Sequence, residues 1–313
     1  MKKASQSKLH EQLMQTINLS ERRDLALELL SMTMSRQYID VALRILQEEE
    51  VSEILNSTHQ PVLRAKVLYY FDRPDKDKAG LIREQIVRLL VDIGVPEDID
   101  IYLKGVSTYE SQPVTDVTQN LRAVSLAGLA NEDEVLASVY AVKLLGENDT
   151  SQFNGEPSIT AVTLLRRFNQ PLPIFQFLLR QGKNFIERGL AEVVGKALES
   201  LGKDFPLHLY EELADDFLQN EVPVVVGGII NYIIENDVSE LYSRMVQIIE
   251  EAEDNDLHKY GLIMMATSRN EDIINLIYVM AENSTMFNRA NFIEALELVP
   301  ADDKRDAVLG SLQ

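Results

Sequence analysis

The sequence predicts an all-α protein, arranged as a right-handed α-solenoid of stacked antiparallel helix pairs. Apolar residues recur at steps of three and four in segment after segment, whereas the alternating pattern of strands is nearly absent. With 14 glycines and 10 prolines in 313 residues, turn-forming residues are sparse. The predicted helices are mostly about 10 to 17 residues long and their connections are short, which favours antiparallel neighbours.

The chain divides by prediction into a cap, an array and a second cap. Residues 1–58 are expected to form N-terminal capping helices, with Leu25 and Leu29 on one buried stripe. Residues 59–300 are expected to form the repeat array, and residues 301–313 a C-terminal capping helix.

Prolines mark the starts of several predicted helices in the array. A proline costs least in the first helical turn, where its missing N–H would have no partner. The predicted first turns contain Pro61, Pro96, Pro157, Pro173, Pro206 and Pro223. Residues 222–234 are rich enough in valine and isoleucine to suit a buried strand, but the position of Pro223 and the absence of a turn favour a helix.

A degenerate repeat runs through the array. Its first helix carries a small residue within an apolar run, at Ala65, Ala123, Ala161, Gly189, Gly227, Gly261 and Ala290. From position 123 onward these residues recur on average about every 33 positions, a period typical of helical repeats. The pattern predicts that neighbouring helices approach closely at the small residues.

One segment of this repeat carries a family resemblance. Residues 121–129, Leu-Arg-Ala-Val-Ser-Leu-Ala-Gly-Leu, resemble the helix of bacterial HEAT-like repeats, and the resemblance extends over roughly residues 60–300. Most other copies depart from the pattern because they lack the arginine and the inter-helix aspartate. The resemblance implies a solenoid whose second helices line a concave binding surface. The second helices are expected at 134–146, 171–181, 207–220, 239–253 and 271–283.

Charge is distributed unevenly along the chain. The net charge is −20, yet residues 1–90 hold 14 basic and 13 acidic residues, while residues 191–313 hold 8 and 24. Such a field repels nucleic-acid phosphates and anionic membrane surfaces, so neither is expected as a partner. It is compatible both with simple solubility and with attraction of a basic protein partner.

Two acidic clusters are the predicted partner-binding residues. In the segment 207–220 an apolar stripe is expected to be buried, with four acids on the opposite side of the helix. A second group ends the next predicted second helix. The predicted partner-binding residues are Glu211, Glu212, Asp215, Asp216, Glu250, Glu251, Glu253 and Asp254.

A basic island interrupts the acidic part of the chain. Between positions 155 and 190 the basic residues are Arg166, Arg167, Arg180, Lys183 and Arg188, opposed by two acids. This island fits homo-oligomer contacts through Arg166, Arg167 and Arg180, contact with an acidic ligand, or ordinary surface charge.

Signatures of catalysis and of metal binding are missing from the sequence. There is no cysteine, and no two of the four histidines lie three or four residues apart. No glycine-rich phosphate-binding loop and no Gly-x-Ser-x-Gly elbow occur. The sequence therefore predicts a protein that is not an enzyme and that needs no cofactor.

The predicted function is a protein-binding scaffold or adaptor that docks a basic partner on its acidic surface. The alternative is a HEAT-like chromophore lyase or chaperone resembling the phycobilin lyases, although no site residue of that family can be assigned here. The basic N-terminus is not followed by an apolar stretch, and the longest apolar run contains Asn231 and is too short to span a bilayer. A cytoplasmic location is the resulting expectation.

Overall fold

The computed structural model of the protein describes residues 2–111, 116–147, 150–285 and 288–312, and it confirms the all-α prediction. Within these ranges the chain forms nineteen α-helices, and the only β pairing is an isolated bridge between Ser111 and Asp116. The chain separates into two compact units. Unit 1 comprises Met1–Ser151 and Glu156–Leu164, and unit 2 comprises Gln152–Gly155 and Leu165–Gln313. The predicted boundaries of the capping helices and the array stay predictions.

Ten helices begin in unit 1. They are α1 (Lys2–Gln15), α2 (Leu19–Met32), α3 (Arg36–Leu46), α4 (Glu49–Ser52), α5 (Gln60–Phe71), α6 (Leu81–Ile93), α7 (Ile99–Val106), α8 (Gln119–Glu132), α9 (Glu134–Gly146) and α10 (Ser158–Arg167). The boundary between the units falls within α10. In unit 1, α2 contacts α5 and α5 contacts α7, while α3 contacts α6 and α6 contacts α8.

The other nine helices belong to unit 2. They are α11 (Pro171–Gln181), α12 (Ala191–Glu199), α13 (Leu207–Leu218), α14 (Pro223–Glu235), α15 (Tyr242–Glu250), α16 (Asn255–Thr267), α17 (Glu271–Glu282), α18 (Arg289–Leu298) and α19 (Asp303–Leu312). The even-numbered helices from α12 to α18 pack against one another in succession. Of the odd-numbered helices, α13 contacts α14, α15 contacts α14 and α16, and α17 contacts α16 and α18. Helices α15 and α17 also contact each other.

Two of the prolines begin helices as predicted. Pro61 and Pro223 lie in the first turns of α5 and α14, so the valine-rich segment after position 222 is helical. The expected second helices correspond to α9, α11, α13, α15 and α17, although a 3₁₀ turn at Ser239–Leu241 precedes α15. The cap of α9 is Asp133, whose side chain accepts a hydrogen bond from the Leu136 amide.

Buried ion pairs connect helices of unit 1 to the segments between the helices. Arg83 of α6, only 1% exposed, donates from Nε to Asp77 Oδ2 at 3.0 Å and from Nη1 to Glu110 Oε1 at 2.6 Å. Asp77, fully buried, also accepts the amide N–H groups of Ile82 and Arg83 and thereby caps α6. The fully buried Arg122 of α8 forms an ion pair with Asp116. In both cases the aspartate precedes the arginine by six residues.

Glycines allow the backbones of two helices in unit 2 to meet. A Cβ atom placed on Gly228 of α14 would lie 2.2 Å from the carbonyl oxygen of Gly195 in α12. A Cβ atom on Gly195 would lie 2.5 Å from the carbonyl oxygen of Val224. Only glycine permits backbones to approach this closely, so these two residues set the distance between α12 and α14.

Several small residues of the predicted repeat do not lie at such contacts. Ala65 and Ala290 are exposed, and Gly189 lies in a turn with φ of +65° rather than in a helix. The prediction of close approach is therefore wrong at these three positions, because a helical period alone does not determine which side of a helix faces its neighbour. At Gly261 it is confirmed, since a Cβ atom there would lie 2.7 Å from Ile249 Cγ1.

Candidate functional site

The four predicted acids of α13 lie on its exposed side. Glu211, Glu212, Asp215 and Asp216 are all exposed, whereas Tyr210, Leu213, Ala214 and Phe217 of the same helix are buried. This distribution follows from the amphipathic pattern of the segment, which turns its apolar stripe toward α14. The sequence analysis therefore placed these side chains correctly with respect to solvent.

The structure separates these four acids into two pairs. Glu211 and Asp215, one turn apart, line a groove of about 400 Å³, and Glu212 and Asp216 do not line it. The apolar residues that line this groove are Ala214, Leu218, Ile229, Ile233, Leu241 and Ile248, of which Leu218 and Ile248 are partly exposed and the other four are buried. Carboxylates thus stand at the edge of an apolar depression.

The second predicted cluster lies beside an adjoining groove of about 440 Å³. Glu251, Glu253 and Asp254 line it, while Glu250 is exposed but does not line it. Its apolar lining is formed by Leu218, Pro223, Val226, Ile248, Ala252 and Leu257. The two grooves share Leu218, Arg244, Gln247 and Ile248, so we treat them together as the paired groove.

A chain of polar contacts crosses the paired groove and connects the two clusters. Arg244 Nη2 donates to Asp215 Oδ1 at 2.9 Å, and Arg244 Nη1 donates to Gln247 Oε1 at 3.3 Å. Gln247 Nε2 in turn donates to Glu251 Oε1 at 2.9 Å. All four side chains are exposed, so these contacts are formed in competition with water.

Asp254 differs from the other acids because it has a structural role. Its Oδ1 accepts hydrogen bonds from the amides of Asp256 at 2.8 Å and Leu257 at 3.0 Å, which caps the N-terminus of α16. A substitution at Asp254 would therefore change helix stability as well as surface charge.

The sequence analysis did not identify Arg244 or the apolar floor as parts of this site. The signal for Arg244 was present in the sequence, because residues 207–254 contain twelve acidic residues and one arginine or lysine. The apolar floor could not be recognised in this way. Ile229 and Ile233 of α14 meet Leu218 of α13 and Ile248 of α15 only through tertiary packing.

The basic island is only partly available as a surface charge. Arg166 donates from Nη2 to Glu235 Oε2 at 2.7 Å and from Nη1 to Glu199 Oε1 at 3.4 Å. Lys196 Nζ adds a further contact to Glu199 Oε1 at 2.5 Å. Arg167 and Arg180 are exposed. The homo-oligomer contact through Arg166, Arg167 and Arg180 stays a prediction, and within the chain Arg166 already pairs with carboxylates.

Two further grooves have a more balanced charge. A groove of about 650 Å³ in unit 1 is lined by three arginines and three acids, including the ion pairs Arg36–Asp40 and Arg88–Glu84. A groove of about 780 Å³ near α17 and α19 contains Arg269 and Lys304 together with Glu271 and Asp302. By volume alone these two grooves would be the stronger candidates for a binding site. Their acidic and basic residues are balanced in number, however, whereas the paired groove has an excess of acids, which is the feature that would attract a basic partner.

The histidines are not arranged for metal binding in the part of the chain that the structure describes. In those residues no group of three or more histidine, aspartate or glutamate side chains could hold a metal ion. His258 is buried, and its Nδ1 lies 3.1 Å from Asn291 Nδ2. Burial lowers the pKa of His258, because the charged ring is less well solvated there.

None of the described helices is both long enough and apolar enough to cross a membrane. Comparison with protein-family models, with curated proteins and with solved structures finds no match for this chain. The resemblance of residues 121–129 to HEAT-like repeats therefore stays a prediction.

Proposed function

We propose that the protein is a non-enzymatic scaffold or adaptor that docks a basic partner protein on the acidic surface formed by α13, α15 and the start of α16. The observation that carries this proposal is the charge of the segment that contributes this surface, since residues 207–254 hold twelve acids and one arginine. Seven of the eight predicted binding residues have no backbone-capping role and are exposed to solvent. A surface of this kind attracts lysine and arginine side chains and increases the rate of association.

We also propose that the helix pairs continue as a right-handed HEAT-like solenoid. The succession of contacts among α12, α14, α16 and α18 supports this arrangement, as does the packing of α15 and α17 beside them. In such an array each helix pair buries its apolar side on its neighbours, and the exposed helices are left to bind partners.

Affinity for the partner is expected to come from many weak contacts. An exposed pair of charges contributes about 0–1 kcal/mol, so no single acid should dominate. The Debye length is about 10 Å at ~0.1 M salt, and binding should therefore weaken clearly as salt rises.

The test compares wild type with a variant in which Glu211, Glu212, Asp215 and Asp216 are all changed to glutamine or asparagine. Partners are captured from native lysate at low and at high salt, identified by mass spectrometry and purified, and their association rates are then measured. We expect a partner with a basic surface, a rate that falls with salt, and slower association with the variant. Equal rates and equal salt dependence for the two proteins would refute docking on this surface.

A further inference from the structure

We propose that the paired groove binds a basic segment of the partner protein that carries two apolar side chains, and that a cation of this segment replaces Arg244 beside Asp215. This inference rests on the proposed function, to which it adds the kind of segment bound and the residues that recognise it. It follows from the apolar floor, from the position of Arg244 and from the division of the α13 acids into two pairs.

The apolar floor indicates what the groove needs beyond charge. The apolar side chains that remain accessible in the paired groove are Leu218 and Ile248, which both halves share, together with Pro223, Ala252 and Leu257 of the second half; Ile229, Ile233 and Leu241 behind them are already buried. Removing apolar surface from water stabilises a complex by about 25 cal/mol per Å². A segment that contained only lysine and arginine would leave this surface exposed to water, whereas one apolar side chain in each half would cover it.

Arg244 occupies the position that a cation of the partner would take. It lies in both halves of the groove, and its guanidinium is held by Asp215. Its side chain is 45% exposed and that of Asp215 is 66% exposed, so their ion pair is weak and easily exchanged. Until it is displaced, the positive charge of Arg244 opposes the approach of a basic segment.

The acids of α13 provide a matched pair of variants. Glu211→Gln/Asp215→Asn and Glu212→Gln/Asp216→Asn remove the same charge from the same helix, but only the first pair of acids lines the groove. A diffuse electrostatic attraction would be reduced equally by both variants. Binding within the groove would be reduced mainly by the first.

The experiment measures fluorescence anisotropy with dye-labelled synthetic peptides and the full chain. One probe is a lysine and serine peptide with two leucines, tested at several leucine spacings, and the other has both leucines replaced by serine. We expect the leucine probe to bind at least about 10-fold more tightly. We expect Glu211→Gln/Asp215→Asn to weaken it about 5-fold more than Glu212→Gln/Asp216→Asn does.

Arg244→Met provides the most specific test. Because it removes the competing cation, we expect it to strengthen binding of the leucine probe by about 2- to 5-fold. Circular dichroism of each variant verifies that the helices are retained. Weaker binding by Arg244→Met would overturn the displacement of Arg244.

The remaining outcomes separate the two proposals. If both lysine probes bind equally and the two double variants are equally weak, the groove is not the binding site, although docking on the acidic surface stands. If the probes bind neither wild type nor Arg244→Met at low salt, the groove inference is wrong. In that case the proposed function is decided separately by the association rates of the captured partner.

Discussion

The two units use charge in opposite ways. In unit 1 the charged side chains Asp77, Arg83 and Arg122 are almost completely buried and connect helices to the segments that precede them. In unit 2 the acids of α13 and α15 are exposed, and the backbones of two helices meet at Gly195 and Gly228. A buried charge has to be paired within the fold, whereas an exposed charge remains available to a partner. The buried charges of unit 1 are therefore structural, and the exposed acids of α13 and α15 in unit 2 are the candidates for recognition.

The largest expected effect is the loss of a buried arginine in unit 1. Arg83→Met would remove the buried guanidinium that pairs with Asp77 and leave Asp77 with only the exposed Arg36 at 3.6 Å, which we expect to cost about 3–5 kcal/mol of unfolding free energy. Arg244→Met, the control in unit 2, removes an exposed pair and should change the unfolding free energy by about 1 kcal/mol or less. Urea denaturation of both variants measures the difference. Equal losses would mean that the two units do not differ in their use of charge.

The contact of glycines in unit 2 gives the next prediction. Gly228→Ala would place a methyl group 2.2 Å from the Gly195 carbonyl oxygen, so α12 and α14 would have to move apart. Overpacking of this kind typically costs about 1–3 kcal/mol. Gly310→Ala in α19 is the matched control, because nothing lies within 4 Å of its Cβ position. The control should gain about 0.5–1 kcal/mol from helix propensity. Thermal denaturation of both variants tests this, and a stable Gly228→Ala protein would contradict it.

These first two predictions show how much could be inferred from sequence. Helix starts were predictable at Pro61 and Pro223, because proline in a first turn is a local property. The pairing of Asp77 with Arg83 depends on more than the helix start itself, because the turn between them must bring two side chains six residues apart into contact. The same spacing recurs at Asp116 and Arg122, thirty-nine positions later, and this repetition is the signal that the sequence analysis missed.

The acidic site was likewise predictable only in part. Exposure of Glu211 and Glu212 follows from the apolar stripe of their own helix. The fact that Glu211 lines a groove while Glu212 does not depends on the position of α15, a tertiary relationship that helical periodicity does not contain. For the same reason the period did not identify Gly228 and Gly195, where the backbones of α12 and α14 meet.

A buried lysine in unit 1 makes the unfolding free energy depend on pH in the alkaline range. Lys66 is 4% exposed, its Nζ donates to the Thr33 carbonyl oxygen at 2.5 Å, and burial lowers its pKa to about 8. Between about pH 8 and the ordinary value of 10.5 the unfolded chain binds this proton and the folded chain does not. Unfolding free energy should therefore rise with pH in this window. Urea denaturation from pH 7.5 to 9.5 tests the slope, which Lys66→Met should flatten.

The upper limit of that pH range is chosen because of the tyrosines. Burial raises the pKa of Tyr70 and of Tyr232 to about 12, so above pH 10 the folded chain retains protons that the unfolded chain loses. This opposite effect lowers stability at higher pH. A wild-type slope that is flat or negative between pH 8 and 9.5 would show that Lys66 does not control this range.

The smallest expected effect is also the one on which the functional interpretation of unit 2 depends. Changing Glu211, Glu212, Asp215 and Asp216 together to glutamine or asparagine relieves two pairs of like charges one turn apart, each unfavourable by about 0.2–0.5 kcal/mol. It also removes the exposed pair between Asp215 and Arg244, which offsets part of the gain. Unfolding free energy should therefore stay constant or rise by a few tenths of a kcal/mol.

Asp77→Asn in unit 1 is the matched control for this last comparison, because it removes one acid that is fully buried and ion-paired with Arg83. We expect that single change to cost more than all four surface changes together, since it leaves a buried arginine with one carboxylate fewer. Urea denaturation measures both. If the quadruple variant lost more than about 1 kcal/mol, its acids would be structural, as those of unit 1 are. The charge of α13 would then be explained by folding, and slower association of the variant with a basic partner would no longer identify a docking surface.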